Sequence, residues 1–444
     1  MNGLKNKVLL SGLGLWLAIS GLQAQPASFT GEMPASRCGA VQYEQRLQQR
    51  NPQRLQQRQT LDRLIQEALT EKAGAARASR VGEVAYRIPV VVHVIHNNAS
   101  GALGGSNNPN ISDEQILSQI RVLNEDYRRV LNTRGYNTSP IGADTGIEFF
   151  LARTDPNGSP TSGITRHLYT QKREFDVYND DLLLSEIAYW PSDRYLNIWV
   201  APLEGSFLGY GHFPTAASIK GLEEETDERT DGVIIDYRVF GTGTGTVTSN
   251  YYAYGRTTTH EVGHWLGLIH TWGDVVCGDD YCDDTPPTER AFESLPCREV
   301  YSNCNGVRTR NLIENYMDYS PDVCMNMFTG DQRERMRMVL EVSPRRRKLV
   351  LAQEALPETE TLTVALGPNP TSAALPTTLT VQFAGYQTFT VSIVDVAGRL
   401  VREQEFKEYP GLKLTLPLHS MGPGVYFVKV RTAGESATRR LLVY

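Results

Sequence analysis

Histidine is scarce in this 444-residue sequence, with 8 in all, and no apolar run is long enough to span a bilayer. A spanning helix needs roughly 20 consecutive apolar residues. The best candidate, Val8 to Leu22, falls short of that and nothing later comes closer. Positive charge is also in deficit: 44 Lys and Arg against 50 Asp and Glu leave a net charge of −6. That balance gives no electrostatic reason to expect nucleic acid or an anionic membrane as partner. Charged residues make up 21% and hydrophobic ones 40%, a globular composition. The length allows two or three domains, each with its own core.

The first apolar stretch follows Lys5 and Lys7 and ends at Leu22-Gln23-Ala24, so residues 1–24 read as an export signal cleaved after Ala24. A membrane anchor is the alternative that length disfavours. Export also suits the cysteines, because disulfides persist outside the cytoplasm. Five of the six crowd between Cys277 and Cys324, while Cys38 stands apart. Residues 40–80 are rich in Gln and Arg with leucines at helical spacing, which reads as one loosely held helix and no domain of its own. From Tyr86 the character changes. Ile88–Ile95 is a buried-strand run, Ser112 with Gln115 reads as a capping box, and Ile116, Ile120, Leu123 and Tyr127 share a helical face. Further strand runs are Ile147–Leu151, Tyr195–Ala201 and Gly232–Asp236. The predicted fold is therefore an α/β domain over 81–345, with a propeptide at 25–80. The basic run Arg345–Lys348 opens a predicted linker at 346–361, and 362–444 alternates like a small antiparallel β-sandwich. Gly241–Thr246 lacks the lysine of a phosphate loop and reads as a surface loop.

Three of the eight histidines lie within eleven residues, His260-Glu261-Val262-Gly263-His264-Trp265-Leu266-Gly267-Leu268-Ile269-His270. His260 and His264, four apart, project from one face of a helix and can share a metal ion. Gly267 permits a left-handed turn that doubles the chain back and presents His270 as third ligand. Three neutral imidazoles leave a zinc ion one position for water, and Glu261 on the same face can take a proton from it. An amphipathic helix with merely hydrogen-bonded histidines would not need the base, the glycine and the third histidine together. His93, His96, His167, His212 and His419 lack any such pattern and read as structural or surface residues.

The stretch from Arg256-Thr257-Thr258-Thr259 through Trp272 resembles the pappalysin family of metzincins, most closely its secreted ulilysin- and mirolysin-like members. The resemblance spans about residues 86–340 and implies a zinc-dependent endopeptidase acting on proteins and peptides. Asn315-Tyr316-Met317-Asp318-Tyr319 is similar to the family's Met-turn. It implies Met317 as the apolar floor of the zinc site and Tyr319 as the hydroxyl that stabilises the oxyanion. It further implies the disulfides Cys277–Cys304 and Cys297–Cys324. The acidic loop Gly278–Pro286 is similar to one that holds structural calcium, with Asp280, Asp283 and Thr285 as contributors; a solvated acidic loop is the alternative. Cys282 departs from the apolar residue usual there. Asp322 matches an aspartate at the base of the pocket for the residue after the scissile bond, implying selection of Arg and then Lys. Cleavage before Arg77, Arg80 or Arg87, or within Arg345–Arg347, would then allow self-processing.

Arg37-Cys38-Gly39 resembles the cysteine-switch motif of metzincin propeptides, in which a thiolate takes the fourth zinc position and keeps a zymogen latent. A disulfide between Cys38 and Cys282 is the other reading. Gly367-Pro368-Asn369-Pro370, Val391–Val401 and Gly422–Val430 look like the C-terminal sorting domain of type IX secretion, whose machinery would be a partner. A carbohydrate-binding module is the rival, weakened by the lack of an aromatic platform. The combined expectation is an extracellular protease, released or attached at the cell surface. A surface adhesin with a non-catalytic zinc site is the alternative, and Glu261 argues against it.

Overall fold

The computed structural model describes residues 37–74, 86–216, 225–243, 247, 251–351, 362–372, 377–416, 418 and 421–444. The expected export signal, Arg77, Arg80 and His419 lie outside these. Two helices come first, Ala40–Arg50 (α1) and Gln53–Gly74 (α2), within the expected propeptide. Asn51 breaks them in extended backbone, the conformation that Pro52 imposes on its predecessor. The expectation of a single loosely held helix is corrected on both counts. Tyr43, Arg54, Gln57, Leu61 and Ile65 are all buried, because the catalytic region supplies partners that the sequence does not show.

The next element, Tyr86–His96 (β1), is followed by Asp113–Tyr127 (α3), Ile147–Leu151 (β2), Ile164–Leu168 (β3), Asp181–Ile187 (α4), Leu196–Ala201 (β4) and Gly209–Gly211 (β5). Glu225–Thr230 (α5), Gly232–Asp236 (β6) and Arg256–Trp265 (α6) complete the sheet and its helices. The strand order is β2-β1-β4-β6-β5, with β3 also paired to β1. All pairs are parallel except β5, which runs antiparallel to β6 at the edge. Strand β1 is buried on both faces, as a parallel sheet between layers requires. Ile88, Val90, Val92 and Val94 join the core beneath α3 and α6, while Val91 and Ile95 face the other way. Ser112 caps α3 by accepting from the Gln115 N–H, but the Gln115 amide donates to the Tyr237 and Phe240 carbonyls instead of closing a capping box.

Beyond α6 come a hairpin, Tyr301–Cys304 (β7) with Val307–Arg310 (β8), then Gly330–Val342 (α7) and Pro344–Leu351 (α8). Helix α8 corrects the expected linker. Arg345 and Arg346 each donate to Asp231 Oδ2 at 2.7 Å, and Leu349 joins the catalytic core. A basic run reads as solvated unless a distant carboxylate meets it, and Asp231 does. Gly241 is likewise fastened, its N–H donating to Gln119 Oε1 at 2.7 Å, so the Gly-Thr segment starts from an anchored residue.

The C-terminal region holds Thr363–Gly367 (β9), Thr377–Asp395 (β10), Leu400–Leu416 (β11), Gly424–Thr432 (β12) and Ser436–Val443 (β13). The pairing is antiparallel throughout. Irregularities between Val381 and Tyr386 and again before Phe389 bend β10, so its first half pairs with β9 and its second with β12. Two strands expected from sequence are thus halves of one. The sheet encloses its own core of Leu379, Phe389, Ile393, Val428 and Leu441 among others. Among the described residues no helix is long and apolar enough to cross a membrane.

Candidate active site

Helix α6 presents its ligand face because its other contacts leave no alternative. His260 Nδ1 meets the Tyr316 carbonyl at 2.7 Å and His264 Nδ1 meets the Leu268 carbonyl at 2.8 Å. Gly267 takes φ +87°, and the turn it makes brings His270 back, with Asp274 hydrogen-bonded to its Nδ1. With each Nδ1 engaged, the three Nε2 atoms converge: His264 Nε2 lies 3.1 Å from those of His260 and His270. Burial and mutual repulsion hold His260 well below its ordinary pKa, and His264 at about 3. Both are therefore neutral and able to ligate. Trp272 stacks on the His270 ring at 4.3 Å, and Tyr319 meets the same ring edge-on at 4.8 Å. Met317 is fully buried under α6, so close that a Cβ on Gly263 would stand 2.4 Å from its sulfur.

Cys38 completes a cluster in which its Sγ and one nitrogen of each histidine all lie within 4.8 Å of one another. Three imidazoles and a sulfur suit a tetrahedral borderline-soft cation. Cys38 Sγ is also 3.3 Å from Glu261 Oε2. Burial, then Glu261, push the thiol pKa well up, against the pull of the Ala40 N–H. Burial lifts the Glu261 carboxyl to about 8, against the opposing pull of Cys38 and Arg37. Its Oε1 is buried without a partner among the described residues.

Residues 37–39 run along the edge of β5. Cys38 forms a parallel bridge with Gly209, the Gly39 N–H donates to the Gly209 carbonyl at 2.9 Å, and the Leu208 N–H donates to the Arg37 carbonyl at 3.0 Å. Arg37 reaches into the wall behind: it donates to the Ser320 carbonyl at 2.6 Å and to Asp322 Oδ1 at 3.3 Å, over the Tyr252 ring. Asp322 is fully buried, and its Oδ2 also accepts from the N–H groups of Tyr254 and Arg256. Burial pushes its carboxyl up, and the Arg37 and Arg256 guanidiniums pull it back.

Disulfides join Cys277 to Cys304 and Cys297 to Cys324. Cys38 and Cys282 are buried thiols, so no bridge links them. In the acidic loop Asp280 Oδ1 accepts from the Thr285 hydroxyl at 2.7 Å and from the Cys282 N–H, while Oδ2 has no partner among the described residues. Burial lifts Asp280 to about 7. Asp283 is exposed; the carboxyls brought together are instead Asp284 and Asp331, each accepting the other's backbone N–H. Sequence reasoning passed over Asp331, which lies 47 residues on. It also passed over β5, whose three residues carry two glycines, and over Asp274, whose signal was a carboxylate four residues past the third histidine.

A family profile described as pregnancy-associated plasma protein-A matches residues 184–341, and one for a secretion system C-terminal sorting domain matches 366–444. An extracellular metalloprotease of Sordaria macrospora is 31% identical over 267 residues, covering 60% of this chain and 79% of that protein. The chain belongs to this metalloprotease family. Extracellular metalloprotease 1 of Coccidioides posadasii is 34% identical, covering 51% of this chain and 68% of its own length. Among solved structures, a promirolysin mutant of Tannerella forsythia is 37% identical with a TM-score of 0.58, covering 71% of this chain and 97% of that one. Mature mirolysin from the same organism, bound to a cleaved peptide, is 41% identical with a TM-score of 0.52, covering 60% and 96%. The metalloprotease described here is thus an extracellular endopeptidase with a catalytic metal and a type IX sorting domain at its C-terminus.

Proposed function

We propose that the protein is a zinc endopeptidase made as a latent zymogen, in which Cys38 blocks the metal and Asp322 selects Arg, then Lys, after the scissile bond. The observation that carries this reading is the paired contact of Cys38 with the histidine cluster and of Arg37 with Asp322. His260, His264 and His270 would hold the ion. A Zn2+ there would supply Lewis-acid polarisation of the scissile carbonyl and acidify the attacking water. Glu261 takes the proton on its carboxylate and later returns it to the leaving amine. The Tyr319 hydroxyl donates to the oxyanion, and Met317 keeps the floor of the site apolar and dry. Arg37 fills the place of a substrate arginine, and a buried carboxylate calls for such a partner. Residues 1–24 would direct export and 25–80 be the propeptide. The catalytic portion extends through α8 to Leu351, which leaves the connection to the sorting domain beyond it. A structural calcium ion held by Asp280, Thr285, Asp284 and Asp331 would relieve the Asp280 and Asp331 carboxyls, which burial now forces upward.

The test is cleavage of casein and of a peptide library by the matured protein, with and without chelator, beside Glu261→Ala. The expected result is chelator-sensitive cleavage before Arg that zinc restores and Glu261→Ala lacks. Cleavage mainly after basic residues, or before apolar ones, removes Asp322 from its role.

A further inference from the structure

The open edge of β5 carries more than the two contacts around the metal. Gly209 faces the active-site helix, since a Cβ there would stand 3.3 Å from Glu261 Cγ. Tyr210, one residue on, therefore faces the opposite side of the sheet. On that side the propeptide's Tyr43 packs its ring on Tyr210 at 4.2 Å and donates its hydroxyl to Asp181 Oδ2 at 2.7 Å. Arg50 reaches the same oxygen at 3.4 Å. Asp181 Oδ1 remains buried without a partner among the described residues, as does the Ser185 hydroxyl one turn along α4. Asp181 is 4% exposed and Ser185 3%. Asp181, Ser185 and Tyr210 all lie after the propeptide, so this carboxylate, hydroxyl and aromatic wall remain with the catalytic portion once Tyr43 and Arg50 depart and leave a polar pocket open.

We propose that this Asp181–Ser185–Tyr210 pocket is a second specificity site, which takes a cationic side chain, Arg or Lys, from the substrate segment preceding the scissile bond. The inference rests on the protease reading above and goes beyond it. In that reading Asp322 receives the residue after the bond. The propeptide runs from Asp322 past the metal to Tyr43, so the Asp181 pocket lies toward the residues before the bond. A peptide adding a strand to β5 alternates its side chains between the two faces. The residue opposite Gly209 points to the metal, and the one opposite Tyr210 points with Tyr210 toward Asp181. Chemistry then selects the occupant. Asp181 already takes a cation, Arg50, beside the Tyr43 hydroxyl, and its unused oxygen lets an incoming guanidinium make a second hydrogen bond.

The experiment uses the matured, metal-loaded protein and peptides with Arg fixed after the scissile bond. Each of the four preceding positions carries in turn Arg, Lys, Leu or Glu. One position is expected to favour Arg or Lys over Leu by about tenfold in kcat/KM, the size of a charge-assisted hydrogen bond. Asp181→Asn should bring that ratio close to one while the preference for Arg after the bond persists. Binding of the same peptides to Glu261→Ala is read in parallel, so the preference is scored whether or not the parent cleaves. Thermal unfolding of Asp181→Asn and Asp181→Ala separates a lost pocket from a lost fold. An absence of preference at all four positions overturns the proposal. So does a preference that survives in a folded Asp181→Asn.

Discussion

The histidine cluster is fully buried and the residues 37–74 that reach it are only partly so, and the two are built in opposite ways. The centre comes from one helix, one turn and an apolar floor, with ligands within eleven residues of one another. The propeptide is held by polar groups that meet across the whole chain. Arg37 pairs with Asp322, Tyr43 with Asp181, and Arg335 of α7 with Asp62 of α2 at 2.7 Å. Within the propeptide Glu44 is gripped by Arg54, which itself reaches the Phe213 carbonyl. Apolar contact runs beside these pairs: Leu61 and Ile65, flanked by Ala68 and Leu69, meet Met338 and Val339, and Ala40, Tyr43 and Leu47 join the cluster around Tyr210 and Phe213. The difference lies in the long-range ion pairs and hydrogen bonds, which set the register of residues 37–74 on the rest of the chain. A charged interface is specific in register but leaves both surfaces wettable on separation, whereas an apolar one would expose a sticky patch.

The comparison breaks first at its most local point. Glu261→Gln should leave metal content by mass spectrometry unchanged and lower kcat by between about 100- and 10,000-fold, the range for losing a general base. A variant that loses its metal would mean the residue supports the cage and not the chemistry. Arg37→Ala strikes the other region. It removes the guanidinium paired with buried Asp322 and leaves the Arg256 charge and two backbone N–H groups, a loss of at most about 3–5 kcal/mol for a broken buried pair. The zymogen should then gain activity or self-process far faster than the parent. A variant as silent as the parent would show that Cys38 alone suffices.

Acid sharpens the contrast. Burial pushes Glu44 up, but Arg54 and Arg58 outweigh it and hold the carboxyl at about 2, against an ordinary 4.5. A depressed carboxyl contributes in full above the ordinary value and loses its contribution as pH falls from 4.5 toward 2. The propeptide should loosen in that window, seen as faster proteolysis of residues 37–74, with Glu44→Gln showing a flatter response. The size is roughly 3 kcal/mol. The smallest effect belongs to Asp62→Asn. Asp62 is partly exposed, so its pair with Arg335 should contribute about 1 kcal/mol or less to thermal stability of the zymogen. A larger loss would mean that α2 is held chiefly by charge and not by Leu61 and Ile65.

The sequence by itself determined what depends on near neighbours along the chain. Helical spacing set His260 and His264 on one face, Gly267 gave the turn to His270, and alternating or continuous apolar runs marked β1, β2, β4 and β6. Those features are local, and backbone periodicity alone decides them. Only the tertiary structure decided which polar residues would be buried. Arg345 and Arg346 read as a domain boundary until Asp231 met them, and the Gln- and Arg-rich segment 40–80 read as loose until Asp181 and Arg335 received it. The three residues of β5 were too short and too rich in glycine to register, yet their edge guides the propeptide. The physical reason is common to all of these. Burying a charge is unfavourable except beside its partner, and the partner is fixed by the fold and not by distance along the chain.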